Sequence, residues 1–332
     1  MASKDEIPGG WFSLMKAVYA GDVGACGPYV LVTAAYNEEK YIRDTIMSIL
    51  SQTCRPKKWV IVSDGSTDRT DKIVQEYADQ CGLMIYARQE KRSGDSARLE
   101  RVSIAQARAM ALALELLQDI EYDFFGNLDA DITLEPAYYE KVINKLIENH
   151  SLGICGGGVY SVNDDGGTTG EGFLNPEFVG GPVQLFRRKC LQEIGGYKPY
   201  GHTDCVAVAT AKMSGWNVRC FPGIQAFHHG MPANTVREKV PVCFRMGKMD
   251  YIMGGLLVFE LARCVRRSFR RPFLVAGMAM LAGYAWEGVT AKKSCVPKDL
   301  VKFMQVEQME KLRSRLPFFL SAHAHYETAG GK

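Results

Sequence analysis

The sequence predicts an α/β protein, a doubly wound, mixed and mostly parallel sheet followed by a C-terminal helical extension. Three observations carry this expectation. From residue 29, short apolar runs alternate with segments of helical periodicity, a pattern that lays strands parallel with helices on both faces. Polar residues collect where those apolar runs end, at Thr33 to Glu38, Asp64 to Asp68 and Asp129 to Asp131. Open α/β sheets bind ligands beyond the carboxyl ends of their strands. Past residue 235 the strand signals stop, and apolar stretches alternate with arginine.

The first strand is read in YVLVTAA, 29–35, a short buried run. NEEKYIRDTIMSILSQT follows as a helix, with Ile42, Ile46, Ile49 and Leu50 at helical spacing and Asn37 as N-cap. Glu38 and Glu39 fall in its first turn, where negative charge is favoured. WVIVS and LMIYA are the next strands, separated by the helix STDRTDKIVQEYADQC. A longer Ala- and Leu-rich helix spans 98–118, then the strand YDFFGN and a helix over 135–149. The glycine-rich GICGGGVYSVNDDGGTTGEG pairs strands and carries a mobile loop. GGPVQLFRRKCLQEIGGY reads as a strand feeding a short helix with a glycine stop. HTDCVAVATAKMSGW is a capped helix, and VRCFPGIQAFHHG a strand ending in two histidines.

Composition narrows the function. With 332 residues, 47% apolar, 23% charged and a net charge of +3, the chain affords a sizeable core and gives no sign of a nucleic-acid partner. Ten cysteines occur with no CxxC pair and no zinc-type cluster, so a disulfide framework is not expected and most cysteines read as buried apolar residues in a reducing compartment. The N-terminus lacks a signal-type apolar core, and no apolar run reaches the roughly 18–20 residues that span a bilayer. A cytoplasmic location follows as an expectation.

The pair Asp129 and Asp131, in NLDADI, has two readings. Carboxylates bind hard cations through oxygen, and Mg2+ or Mn2+ bridges them to a diphosphate. Alternately, Asp131 caps the helix that begins near Glu135. Its alignment with the other two polar sets favours the metal. Ser66 and Asp68 read as turn and cap groups, whereas Asp64 at a strand end can accept from a base or ribose. His228 and His229 are either core histidines or metal ligands. Asp204 opens a helix, as a cap or as a general base.

Together VTAAYNEEKYIRDTIMSILSQT, VIVSDGSTDRT, NLDADI, GGPVQLFRRKCLQEIGGY and GHTDCVAVATAKMSGW resemble family 2 glycosyltransferases of GT-A fold, in order and approximate spacing over about residues 28–230. The resemblance implies a nucleotide pocket lined by Thr33, Ala34, Tyr36, Glu38, Asp64 and Asp129. It implies a divalent cation, Mg2+ or Mn2+, held with the donor diphosphate by Asp129 and Asp131, with His228 completing the site. Asp204 matches the catalytic aspartate that takes the acceptor proton, in a single displacement that inverts the anomeric carbon. The position before it is Thr203 rather than the family's usual glutamate, which leaves the acceptor open. Gln184, Thr203, His229, Arg245 and Lys248 are the candidate acceptor- or phosphate-side residues. No QxxRW motif of processive synthases is present, so transfer of one sugar is expected, to a lipid-linked or glycan acceptor in polysaccharide or glycoconjugate biosynthesis.

The domains expected are an N-terminal extension over 1–27, a GT-A catalytic domain over 28–235 and a helical region over 236–332. Arg263, Arg266, Arg267, Arg270 and Arg271 stand between two apolar segments of that last region. It is either a helical subdomain with a solvated basic face or a monotopic attachment, peripheral on the cytoplasmic face of a membrane, with arginines on anionic headgroups. Two rival functions are weaker. A nucleotidyltransferase would place a basic, glycine-rich loop where YNEEK stands. A non-catalytic membrane-tethered binding module would not need Asp129, Asp131 and Asp204.

Overall fold

The computed structural model describes residues 26–89, 98–162, 167–169, 174–200, 202–230, 236–269, 273–290 and 296–327, with side chains omitted at 98–103, 236–238 and 315–327. The expected N-terminal extension falls outside these residues but for its last two, as do Arg270, Arg271 and parts of the glycine-rich loop at 163–166 and 170–173. The chain forms two compact units. One comprises Met1–Tyr197 and Ser214–Met231, the other Lys198–Met213 and Pro232–Lys332. The helix that carries Asp204 thus goes with the second unit.

The first unit is built on one nine-stranded sheet. Its strands are β1 (Tyr29–Ala35), β2 (Lys58–Ser63), β3 (Met84–Arg88), β4 (Phe124–Asn127), β5 (Ile132–Leu134), β6 (Leu152–Val162), β7 (Thr168–Thr169), β8 (Leu185–Arg187) and β9 (Asn217–His228). The order is β3-β2-β1-β4-β8-β6-β9-β5, with β7 on β6. The strands β3, β2, β1 and β4 are all parallel. Beyond them β8 runs antiparallel to β4 and to β6, while β6 and β9 are parallel to each other. This is the mixed, doubly wound sheet that the strand–helix alternation predicts.

Helices α1 (Ile42–Leu50), α2 (Thr70–Ala78), α3 (Arg98–Leu116), α4 (Tyr138–Glu148) and α5 (Arg188–Ile194) complete this unit. Burial explains their placement. On α1, Ile42, Ile46, Ile49 and Leu50 face inward, as their spacing requires. Trp59, Phe125 and Phe186 fill the interior of the sheet layers. Gly195, at φ 68°, ends α5 in the left-handed conformation that a Cβ disfavours.

Local details differ from the sequence expectation. Asn37 is not an N-cap: α1 begins five residues later, and Asn37 sits in a left-handed turn at φ 57°. There its Oδ1 accepts from the amide of Thr67 at 2.8 Å. Asp131 caps nothing either, because α4 starts at Tyr138. Between them lies β5, paired antiparallel with β9 through Ile132 and His228. Three residues, ITL, are too short for a periodic signal, and the pairing partner lies far along the chain. The cysteines are also not all reduced. Among the described residues seven are free, six of them buried, but Cys26 and Cys54 are joined by a disulfide. Their Cα atoms lie 6.4 Å apart, within bridging reach, although 28 residues separate them in the chain.

The second unit is helical: α6 (Thr203–Met213), α7 (Val236–Ile252), α8 (Leu257–Ser268), α9 (Val275–Thr290) and α10 (Lys298–Glu327). Val206 and Ala209 of α6 pack with Met253, Val296 and Leu300. Cys243, Cys264, Ala276 and Met280 form a second small core. Among the described residues no helix is long and apolar enough to cross a membrane.

Candidate functional site

Three parallel strands deliver the site of the first unit. β1 ends into Tyr36–Glu38, β2 into Asp64, and β4 into Asp129 and Asp131. The first two ends are locked together. The amide of Asn37 donates to Ser66 Oγ at 3.2 Å, that of Glu38 to Thr70 Oγ1 at 2.7 Å, and that of Glu39 to Asp68 Oδ2 at 3.1 Å. Asp68 also accepts from the Thr70 amide at 2.9 Å, so its role is structural, as expected. Asp64 Oδ1 accepts from Gln89 Nε2 at 3.1 Å and stays partly exposed. Tyr36 is exposed beside it.

The aspartate segment is pinned along its backbone. The Leu128 amide donates to Val32 O at 3.0 Å and the Asp129 amide to Pro182 O at 3.1 Å. Thr45 Oγ1, buried in α1, donates to Ala130 O at 2.8 Å. Asn127 Nδ2 donates to Gly181 O at 2.7 Å and reaches Asp129 Oδ1 at 3.4 Å. Asp131 turns the other way: its Oδ2 lies 2.9 Å from His228 Nε2. The β5–β9 pairing sets that contact, because Ile132 lies opposite His228. A Cβ on Gly230 would run into the Asp131 carboxylate, so the backbone approaches closely there. Asn127, Thr45 and Gly230 were not singled out from sequence; the glycine after the two histidines was the only legible hint.

The electrostatics follow from this crowding. Glu38 is pushed up to about 7, first by burial and then by the charges of Asp131 and Asp129. Burial pulls His228 down, but its hydrogen bond to Asp131 and the charges of Asp131, Asp129 and Glu38 outweigh that and raise it. His228 Nδ1 is buried with no hydrogen-bond partner. Carboxylate oxygens and an imidazole are donors of the kind that Mg2+ or Mn2+ accepts, and a surplus of negative charge is what such an ion offsets. Among the described residues, however, Asp129, Asp131 and His228 are not a group whose ligand atoms gather within 4.8 Å of one another.

The two histidines separate cleanly. His229 Nε2 lies 2.8 Å from Thr133 Oγ1, and its ring stacks on Tyr41 with centroids 5.9 Å apart. Burial holds it below the usual histidine range. It packs just past the end of β9, against Thr133 and Tyr41. Two further candidates also turn inward. The hydroxyl of Thr33 accepts from Trp59 Nε1 at 3.0 Å and the residue is fully buried, because strand alternation aims it at the core. Gln184 is equally buried, donating to Val179 O at 2.9 Å and accepting from Tyr197 at 2.6 Å. Ala34 is partly exposed on the opposite side of β1 from Thr33.

In the second unit, Asp204 lies in the first turn of α6, where its Oδ1 accepts from the Cys205 amide at 2.8 Å. Thr203 is buried at the helix start. His202, Asp204 and Cys205 bring ligand atoms within 4.8 Å of one another. Burial, and then the charges of Asp204 and Asp250, raise the Cys205 thiol well above its ordinary value. Lys248 is ion-paired with Glu287 at 3.0 Å, so its charge is used within the helices. Arg245 is partly buried on α7.

Residues 30–174 match the family model for glycosyl transferase family 2. Among curated proteins, the glycosyltransferase GlyA of Streptococcus pneumoniae is 27% identical over 137 residues, 41% of this chain and 17% of its own length. The glucosyl-dolichyl phosphate glucuronosyltransferase of Haloferax volcanii is 23% identical over 186 residues, 50% of this chain and 55% of its own. The chain thus spans well under two thirds of either relative. Among solved structures, a mannosyltransferase of Pyrobaculum calidifontis in complex with GDP-Man and Mn2+ matches 91% of this chain and 87% of its own at 14% identity, with a TM-score of 0.49.

Proposed function

The chain carries a family 2 glycosyltransferase domain, and on that premise we propose that it moves a single sugar from a nucleotide-diphosphate sugar to an acceptor hydroxyl, with inversion. The observation that supports this best is the convergence of Glu38, Asp129, Asp131 and His228 beyond the ends of parallel strands. Tyr36 and Asp64 are the donor's nucleoside contacts, being partly exposed at the ends of β1 and β2. Asp131, Asp129 and His228 would hold Mg2+ or Mn2+. That ion, when bound, offsets the charge growing on the leaving diphosphate.

Asp204 is the general base. As the acceptor oxygen forms its bond to the anomeric carbon, Asp204 takes the hydroxyl proton, and the bond to the nucleoside diphosphate breaks with its electrons leaving on the phosphate oxygen. One displacement inverts the configuration. The absence of a glutamate before Asp204 leaves acceptor placement to other groups of the second unit, which is read as membrane-attached and the acceptor as lipid-linked or a glycan.

The test is product analysis. Nucleotide sugars are incubated with lipid-linked and soluble glycan acceptors, and the anomeric configuration of any product is determined by NMR. Net inversion, with activity abolished by Asp204→Asn, supports the reading. A retained configuration, or full activity in that variant, contradicts it.

A further inference from the structure

At the end of β2 the backbone of Asp64 is fixed on both sides. Its amide donates to Ala35 O at 2.9 Å, and Gly65 follows in a left-handed turn at φ 70°. The rotation of the carboxylate about its own side chain remains to be set, and Gln89 reaches it. That residue lies one position past β3, where its amide extends the β2–β3 ladder by donating to Ser63 O at 2.9 Å. Alternation sends successive side chains to opposite faces of a sheet. Arg88 accordingly reaches Asp71 of α2 at 2.9 Å, and Gln89 turns the other way, toward Asp64 and α3.

The Gln89 side chain is a two-pronged donor. Its Nε2 donates to Asp64 Oδ1 at 3.1 Å and to the Ala105 carbonyl of α3 at 3.3 Å. An amide nitrogen carries two hydrogens, so both bonds form at once. Both partners are acceptors when Asp64 is ionised, which fixes the orientation of the amide as well. Turned over, its oxygen would face two oxygens. Glutamate has the same size and, when ionised, offers no hydrogen to either partner. The bond to Asp64 is of the stronger, charge-assisted kind, and both residues are partly buried.

The contrast with Asp68 shows what this arrangement is for. Asp68 stands in the same turn and accepts from the backbone amides of Glu39 and Thr70, so its carboxylate holds the turn itself. Asp64 is gripped by a side chain 25 residues away, on the neighbouring strand, which is in turn braced on a helix. Fixing the rotamer of a strand-end carboxylate in advance removes an ordering cost from whatever binds it.

We propose that Gln89 is a positioning residue of the donor site, orienting the Asp64 carboxylate so that it meets the nucleoside in one geometry. This rests on the reading of Asp64 as a nucleoside contact. Gln89 acts through Asp64 and needs no contact with the donor.

The experiment is calorimetric titration of the full chain with UDP, GDP, CDP and dTDP, each with Mn2+. The tightest binder of the four is then carried through Gln89→Leu, Gln89→Glu, Asp64→Ala and the double variant Asp64→Ala, Gln89→Leu. Gln89→Leu is expected to bind it about tenfold more weakly. Binding of pyrophosphate with Mn2+, which has no nucleoside, should be unchanged. In the double variant the second substitution should add nothing to the loss from Asp64→Ala, because Gln89 acts only through that carboxylate. Gln89→Glu should match wild type at about pH 5, where the introduced carboxyl is protonated and donates. It should weaken relative to wild type by about tenfold or more toward pH 8, as that carboxyl ionises against Asp64. A glutamine that only supported the fold would weaken pyrophosphate as well and would add its loss to that of Asp64→Ala.

Either of those two results overturns the proposal. So does unchanged nucleotide binding in Gln89→Leu where Asp64→Ala weakens it, which leaves the nucleoside reading of Asp64 standing. Unchanged binding in Asp64→Ala, or no binding of any of the four by wild type, overturns that reading and this proposal with it.

Discussion

The strand-end site of the first unit and the α8–α9 hairpin of the second handle exposed chemistry in opposite ways. At the strand ends, charge is concentrated and every group is held: Asp131 by His228, Asp129 by Asn127, the peptide between them by Thr45. On the hairpin, charge is thinned out and apolar side chains are left in water. In the first pattern burial and the crowding of like charges raise Glu38 to about 7, and the second leaves apolar side chains in water. The difference teaches that charge and exposed apolar surface can be concentrated in separate units of one chain.

The sharpest way to break the comparison is at Asp131. Asp131→Ala should lower sugar transfer by about 10³-fold or more, because it removes a carboxylate from the donor's metal site. Transfer assays at saturating Mn2+ measure it, and a loss under tenfold would dissociate the site from the reaction. Asp204→Asn should lower kcat by about 10²–10⁴-fold while donor binding is unchanged. Loss of donor binding instead would mean that the second unit's aspartate serves the donor.

Gly230→Ala should come next. Its new Cβ displaces the Asp131 carboxylate, and a misplacement of about 1 Å is enough to cost about 10²-fold in rate. Circular dichroism and a pH–rate profile on the same preparation separate displacement from unfolding. The histidines then sharpen the contrast within the site. His228→Ala should raise the Mn2+ concentration needed for half-maximal donor binding by about 10–100-fold, as loss of a metal-supporting group does. His229→Ala should leave that concentration unchanged and lower stability by about 1 kcal/mol, through its contact with Thr133.

The smallest effect is a pH dependence in the second unit. Glu260 is buried beside Asp250 and Arg263, and burial together with Asp250 raises it to about 7. A carboxyl raised in the folded state contributes stability that is fully present below its ordinary range near 4.5 and lost as pH rises through about 7. The slope is at most about 1.4 kcal/mol per pH unit for one proton. Chemical unfolding between these limits should show it, and Glu260→Gln should flatten it.

Much of the first unit was legible because its strands and helices are local signals. YVLVTAA, WVIVS and the isoleucine spacing of α1 each identify their element, and alternation alone implies the parallel half of the sheet. What was not legible depends on distant pairing. Strand β5 exists because β9 lies beside it, and that same pairing selects His228 over His229 for Asp131. Thr33 and Gln184 look like site residues in sequence because they are polar near strand ends, but alternation and a buried hydrogen-bond partner turn each inward. The Cys26–Cys54 bridge is invisible to spacing rules for the same reason. In the second unit, the arginine-rich texture was plain, whereas the uncovered face required knowing which side of α8 is packed.

The most direct test of the central claim is a thermal-shift screen of UDP, GDP, CDP and dTDP sugars with and without Mn2+, on wild type and Asp131→Ala. Mass action should raise the wild-type midpoint with one nucleotide class, only when Mn2+ is present, and not in the variant. No shift with any nucleotide sugar, or an equal shift in Asp131→Ala, would contradict a metal-assisted donor site at the end of β4.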